Sequence, residues 1–419
     1  MLPAYARAHG LNYSVREGWL TGCLNRIINE KDSDKKIELG ICFPTQGDIA
    51  VSGEVIDGIT YYGFYEDLDH PEVYDGTVEN RFHVILDDFK PDVLHIFGAE
   101  FPHSLAMLRA FGNPQRSLLG IQGLCCMIAR DYMAELPVEV QQSTTFRDRL
   151  KNDSILQQQE KYKVRAEHER EAILLTGNIT GRTAFDKETT AAINPDAKYY
   201  PMNETMRPCF YEGKWDSSKT EPHSIFLSQG DYPLKGFHFM IQAMPRLLEK
   251  YPDAKLYVAG NNIIGKGDSK YPYFMRASAY GKYLKSLLFK NKLKKKVIML
   301  GTLSEEEMKE RYLQSSVFVC PSIVENSPNS MCEAMLLGMP VVAARVGGIP
   351  SLIQENKEGV LFERADVDSL AEGILQIWDE PVIAGVFGDN ARRRAMISHD
   401  PDKNFSRLIE IYDRIAENN

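Results

Sequence analysis

The sequence predicts an α/β protein: two Rossmann-like domains with parallel sheets facing a shared cleft, and a C-terminal helix crossing back over the boundary. Three observations predict it. Short β-rich runs alternate with helical stretches, and the whole alternation occurs twice. Most of these runs are continuously apolar, as strands buried on both faces between helices must be. A chain of 419 residues also exceeds one ordinary core, so two domains are expected.

In the first half the strand runs are IELGICF from Ile37, ITYYGFY from Ile59, DVLHIFG from Asp92, SLLGIQG from Ser117 and AILLTGN from Ala172. Helical patterns lie between them at Val15–Asn29, Val78–Phe89 and Pro102–Phe111. The second half carries SIFLSQG, KLYVAG, VIMLGTL, SVFVCPS and PVVAARVGG, each followed by a helical segment or a Gly/Pro turn. Between the halves, RPCFYEGKWDSSKTEPH is irregular and reads as a linker. The expected boundaries are 1–206 for the first domain, 207–223 for the linker, 224–400 for the second domain and 401–419 for the amphipathic terminal helix.

Composition excludes several classes. Hydrophobic residues at 43% and charged residues at 26% are ordinary for a globular chain and argue against disorder. A net charge of −9 gives no global reason to bind nucleic acid. No apolar run approaches the roughly 18 residues of a membrane span. The N-terminus has no apolar core of a signal peptide. Seven cysteines without a C-x-x-C pair point to a reducing cytosol and to no structural metal.

Ligands of open α/β sheets bind at strand C-termini. There the segment ENSPNSMCEAMLLGMP places Glu325 on a loop after a strand and Glu333 inside the helix that follows. Ser330 or Asn329 would cap that helix. Its first turn, at Asn329, Ser330 and Met331, offers backbone N–H groups and a positive dipole end to a phosphate. Carboxylates beside a phosphate site suit the hydroxyls of a ribose or a sugar. The competing reading of Ser330-x-x-Glu333 is a capping box, in which Glu333 only caps its own helix.

In its surroundings, PSIVENSPNSMCEAMLLGMPVVAARVGGIPSLI, this Glu-x7-Glu element resembles the signature of the retaining nucleotide-sugar glycosyltransferases of family 4, which have the GT-B fold. FLSQGDYPLKG, KLYVAG, VIMLGTLSEEEMKERY and EGVLFERADVDSLAEGI resemble further segments of that family. So do KPDVLHIFGAEFPHS and SVREGWLTGCLNRI in the first half. The resemblance implies roles. Glu325 contacts the donor sugar and supports charge at the reacting carbon. Glu333 holds the ribose. Asn329, Ser330 and Met331 bind phosphate or sugar through their backbone. Lys235 grips the diphosphate as a preorganised cation, whose loss costs roughly 10²–10³ in rate. Gly18, Gly230 and Gly301 stand in donor-binding loops, and Gly347 and Gly348 close one side of the cleft. His103 lies near the donor sugar or the acceptor, beside Gly98 and Glu100. Gln122 stands where many relatives have a histidine, and Arg182 binds acceptor or orients the linker. His95 reads as structural.

The chain departs from the family twice. Gly230 replaces the arginine many members carry five residues before the lysine, leaving Arg207 and Lys266 as unranked substitutes. Before Gly18 there is no strand run, although relatives begin with one. The expectation is that Met1 is not the natural start and that a strand of roughly ten residues precedes it.

The implied function is metal-independent transfer of a hexose-type sugar from a nucleotide-diphospho-sugar to an acceptor hydroxyl, with retention, in polysaccharide or glycan synthesis. No cofactor is expected, because the nucleotide-sugar is a co-substrate. Asp67-Leu68-Asp69 spells a metal motif but reads as a solvated turn. The partners implied are the nucleotide-sugar and a glycan or lipid-linked acceptor, with no nucleic acid, and the expected location is cytoplasmic. The lysine run KYLKSLLFKNKLKKK reads either as a solvated helix face or as a peripheral contact with the inner membrane face. The alternatives on the same fold are a non-catalytic nucleotide-sugar-binding subunit, an epimerase or a sugar phosphorylase. The lack of G-x-G-x-x-G after a strand argues against a dehydrogenase.

Overall fold

The computed structural model describes residues 3–10, 24, 26, 37–45, 51–265 and 272–417. Two compact units emerge, each built from discontinuous segments. The first comprises Met1–Cys126, Lys161–Arg207 and His399–Asn419, the second Met127–Glu160 and Pro208–Ser398. Among the described residues no helix is long and apolar enough to cross a membrane.

In the first unit β1 (Leu39–Thr45), β2 (Ser52–Ile56) and β3 (Ile59–Tyr65) form one sheet in the order β1-β3-β2. The β1–β3 pair is parallel and the β2–β3 pair antiparallel. A second sheet holds β4 (Leu94–Phe97), β5 (Ser117–Gly120), β6 (Asn178–Gly181) and β7 (Lys198–Pro201), all parallel and in chain order. The helix Thr77–Phe89 lies on the first sheet, where Tyr62 Oη donates to Asp88 Oδ2 over 2.7 Å. The terminal helix Pro401–Ala416 buries Ile411 and Ile415 against Leu118 and Tyr200 of the second sheet. The expected helix at Val15–Asn29, with Gly18, lies outside the described residues apart from Leu24 and Arg26.

One expected strand is corrected. AILLTGN does not open a strand at Ala172: the helix Ile155–Leu175 runs on through it, and β6 begins at Asn178. Ala172 and Ile173 are fully buried at the end of that helix. A short apolar run has the same composition whether it ends a buried helix or forms a strand. The chain turns at Gly177, where a Cβ would stand 2.6 Å from the Pro114 carbonyl oxygen. The strands β2 and β7 were not expected, being short and polar in part.

The second unit carries β8 (Ser224–Leu227), β9 (Lys255–Ala259), β10 (Val297–Gly301), β11 (Val317–Cys320), β12 (Val341–Ala344) and β13 (Val360–Phe362). All pair in parallel, in the order β10-β9-β8-β11-β12-β13. This is a doubly wound sheet whose strand order reverses between β8 and β11. Phe226 meets Tyr312 and Phe318 edge-on, and Tyr312 tilts against Phe318, with ring centroids 5.0 to 6.2 Å apart.

Two segments dock on this sheet from outside 224–400. The segment 208–223, expected as linker, buries Phe210 against Tyr312, and Trp215 Nε1 donates to the Ser315 carbonyl over 2.8 Å. From the first half of the chain, Asp148 Oδ2 accepts the Ala279 N–H at 3.0 Å, and His238 Nε2 lies 3.0 Å from the Ala134 carbonyl. Arg364 reaches Asp131 at 3.0 Å.

Candidate active site

The loops after β8 and β11 leave the sheet side by side at the reversal of strand order, where the crevice of such a sheet lies. The β8 loop tightens into a 3₁₀ turn, Pro233–Lys235, closed by Gly236 at φ +69°. Glycine is required twice over: the angle is left-handed, and a Cβ would stand 1.9 Å from the Pro321 carbonyl oxygen. With no side chain there, Ile323 N–H donates to the Leu234 carbonyl over 2.8 Å and ties the two loops together.

This places Lys235 Nζ 2.5 Å from Glu325 Oε1. Ser322 Oγ donates to the same oxygen over 2.8 Å. Both charged side chains are mostly covered, Lys235 at 22% and Glu325 at 11% exposure. Burial works against the ammonium, but the adjacent Glu325 carboxylate overrides it and raises the Lys235 pKa, so the lysine is charged at any physiological pH. Burial pushes the neighbouring Cys320 thiol to about 12, so it stands as a neutral neighbour and not as a thiolate.

The backbone of Glu325 is held from the far side. Its carbonyl accepts the Gly348 N–H at 3.0 Å, and a Cβ on Gly347 would stand 2.0 Å from that oxygen. The Gly-Gly pair is therefore more than a turn: it lets β12 press its loop onto the glutamate.

The helix Asn329–Leu337 follows, with Pro328 at its N-cap and no side-chain capping bond. The capping box expected as the alternative for Ser330 and Glu333 does not form, and neither Ser330 nor Asn329 is the cap. Glu333 turns inward, 5% exposed, with Tyr312 Oη 3.4 Å from its Oε2. The same hydroxyl donates to the Ser330 carbonyl over 2.8 Å. The first turn carries Asn329, Ser330 and Met331 and has no side-chain cap; the Met331 N–H donates to the Pro328 carbonyl over 3.0 Å, and the Met331 side chain is fully buried.

Other expected residues fall elsewhere. Gly230 sits in the β8 loop, but a Cβ there would meet Val258 Cγ1 at 2.8 Å and the Phe237 ring at 2.9 Å. The position faces packed side chains, so an arginine would not fit without rearrangement. Gly301 ends β10, two strands from β8, in a left-handed turn where an added Cβ would meet nothing within 4 Å among the described residues. Gly18 and Lys266 lie outside the described residues.

In the first unit His103 begins the helix Pro102–Phe111, its Nδ1 2.6 Å from Glu66 Oε2 and its ring stacked on Phe101. That carboxylate orients the imidazole. Arg182 Nη1 pairs with Glu204 Oε2 at 2.5 Å, and Gln122 Nε2 donates to Glu204 Oε1 over 2.5 Å. Arg182 and Gln122 thereby hold the carboxylate of Glu204 between them. Glu100 Oε1 accepts the Gly123 N–H at 2.5 Å, and burial raises its pKa. His95 Nδ1 meets Tyr412 Oη at 2.7 Å, and burial lowers its pKa to about 3. Asp67 bonds His70 and the Asp69 N–H in an exposed turn.

Sequence reasoning passed over Ser322, Tyr312, Glu66 and Glu204. Each acts on a site residue through space, and only Ser322, three residues before Glu325, left a sequence signal.

Residues 211–394 match the family described as glycosyl transferases, group 1. An uncharacterized glycosyltransferase of Methanocaldococcus jannaschii is 28% identical over 178 residues, 42% of this chain and 41% of that protein. The chain aligns with less than half the length of the first curated relatives it matches. Sucrose-phosphate synthase from Thermosynechococcus elongatus superposes with TM-score 0.68 at 15% identity, over 90% of this chain and 89% of that one. Anabaena HepE in complex with UDP and glucose gives 0.63 at 14% identity, over 96% and 97%. The likeness establishes the GT-B fold expected from the sequence. The segment that matches the group 1 glycosyl transferases carries Lys235, Glu325 and Glu333.

Proposed function

We propose that the chain moves a hexose-type sugar from a nucleotide-diphospho-sugar to an acceptor hydroxyl, with retention and without a metal ion. The observation that carries this reading is the Lys235–Glu325 pair at the reversal of strand order, beside a helix N-terminus with no side-chain cap. In the reaction the bond from the anomeric carbon to the diphosphate oxygen breaks, and the acceptor oxygen forms its bond on the same face. The acceptor proton passes to the departing phosphate oxygen, which leaves as nucleoside diphosphate. Lys235 and the helix N-terminus meet the growing negative charge. Glu325 faces the positive charge developing at the sugar, and Glu333 takes the ribose hydroxyls. The acceptor is a glycan or a lipid-linked glycan, and the setting is cytoplasmic.

The complex of HepE with UDP and glucose makes UDP-sugars the first donors to try. The test is nucleoside diphosphate release from UDP- and GDP-sugars by the wild type and by Glu325→Gln. Release from one donor that the variant loses supports transfer. Donor binding without release in any acceptor mixture overturns it and favours a binding subunit, the reading that Gly230 supports by leaving the β8 loop with one cation fewer than the family pattern.

A further inference from the structure

We propose that the end of the helix Ala279–Lys290 and the turn after it dock on an anionic lipid surface, with Phe289 entering the headgroup layer among lysines. The helix buries Tyr280, Leu284 and Leu288 on its inner side. Its outer stripe is Lys282, Lys285 and Phe289, all exposed and spaced to share one face. Phe289 is 87% exposed, more than any other large hydrophobic side chain among the described residues. Lys290, Lys292, Lys294 and Lys295 follow it on the surface, while Leu293 anchors the turn inside.

The charge is one-sided. The sequence has no acidic residue between Asp268 and Glu305, in a chain whose net charge is −9. Among the described residues, acidic groups of other elements meet the helix at its start, its inner side and its margins: Asp148 accepts the Ala279 N–H, Asp231 lies near Tyr280, Glu139 near Tyr283, and Asp253 near Lys296, whose Nζ is held by the Pro252 carbonyl at 2.5 Å. A merely solvated basic face has no use for a protruding benzyl group, whose contact with water is unfavourable until something covers it. A bilayer accepts such a side chain without a preformed pocket, and clustered lysines are drawn to its anionic headgroups. Charge complementarity and the protruding ring thus name the same occupant.

The test uses the full chain with phosphatidylcholine vesicles, with and without phosphatidylglycerol, read by co-sedimentation. Binding is expected only with the anionic lipid and should weaken as salt rises. Lys290→Glu and Lys292→Glu should each lower partitioning by about fivefold or more, since each lysine near the surface contributes about that factor. Phe289→Ser should lower it by roughly tenfold, with an unchanged unfolding curve because the side chain is exposed. Equal binding to neutral vesicles, or variants that sediment like the wild type, would overturn the proposal. So would binding of oligonucleotides without binding of vesicles, or self-association through Phe289 in the absence of lipid. Glycosyl transfer is not assumed: Phe289→Ser should release nucleoside diphosphate from a soluble assay like the wild type if that activity exists.

Discussion

Lys235 Nζ and Glu325 Oε1 stand 2.5 Å apart although 90 positions separate them in the chain, joined across the point where the order of the second sheet reverses. Each charge is half the explanation of the other. Neither side chain is well solvated, so removing one leaves its partner covered and uncompensated.

Lys235→Met should therefore reduce nucleoside diphosphate release by roughly 10²–10³ through kcat, because the lost cation acts on charge that develops in the transition state. Steady-state kinetics with whichever nucleotide-sugar supports release check this. A change in KM alone would place Lys235 in ground-state binding.

Ser322→Ala removes a hydrogen bond to Glu325 Oε1 while leaving Lys235 in place. A hydrogen bond to a charged group is worth about 1.5–3 kcal/mol, so kcat should fall by roughly tenfold or more. KM should hardly move, and Ser322→Thr should recover part of the rate. If Ser322→Ala lowers thermal stability while leaving kcat intact, Ser322 supports packing and not the carboxylate.

Two glycines separate strain from collision. Gly236 and Gly301 both have left-handed φ, +69° and +79°. Only at Gly236 would a Cβ strike backbone, 1.9 Å from the Pro321 oxygen. Gly301→Ala should cost about 1–2 kcal/mol from backbone strain, and Gly236→Ala clearly more, with loss of activity as the two loops part. Urea unfolding of both variants decides it, and equal costs would remove the close contact from the explanation.

Stability should respond to pH in two opposite directions. Burial lowers His238 and His399 to about 4, and His95 to about 3. A lowered folded pKa gives stability that is present above the unfolded value near 6.5 and is lost as pH falls from there toward 4 and 3. Burial raises Glu169 to about 7, although its oxygens accept the Cys125 and Cys126 N–H groups. Its contribution is present below pH 4.5 and is lost as pH rises through about 7. Urea midpoints across pH 4 to 8 should show both limbs, and Glu169→Gln should flatten the second. An unchanged slope between pH 4.5 and 7 in that variant would assign it to other groups.

Much of this was legible along the chain. The five strand runs of the second half all became strands, because continuous apolar runs bounded by turns have few other fates in an α/β chain. Loop position, helix start and spacing drew attention to Glu325 and Glu333, while Lys235 and the roles of all three came from the family resemblance. The capping box was not: Ser330-x-x-Glu333 has the right letters, yet the Tyr312 hydroxyl lies beside Glu333 and Pro328 occupies the cap. The loss of a cation at Gly230 was visible as a letter. That the position has no room for a side chain became visible only when Val258 and Phe237 closed over it.

The sequence by itself determined the alternation of elements, the strand-end loops and the residue types in them, because hydrophobic period, turn chemistry and helix signals act within a few residues. The tertiary structure alone decided which loops meet. The assembly of each unit from discontinuous segments, the clamp of Gly347 and Gly348 on Glu325, and the bonds from Ser322 and Tyr312 depend on approaches of a few ångströms between parts of the chain that strand order brings together. Local propensity carries no record of such distances; close packing sets them.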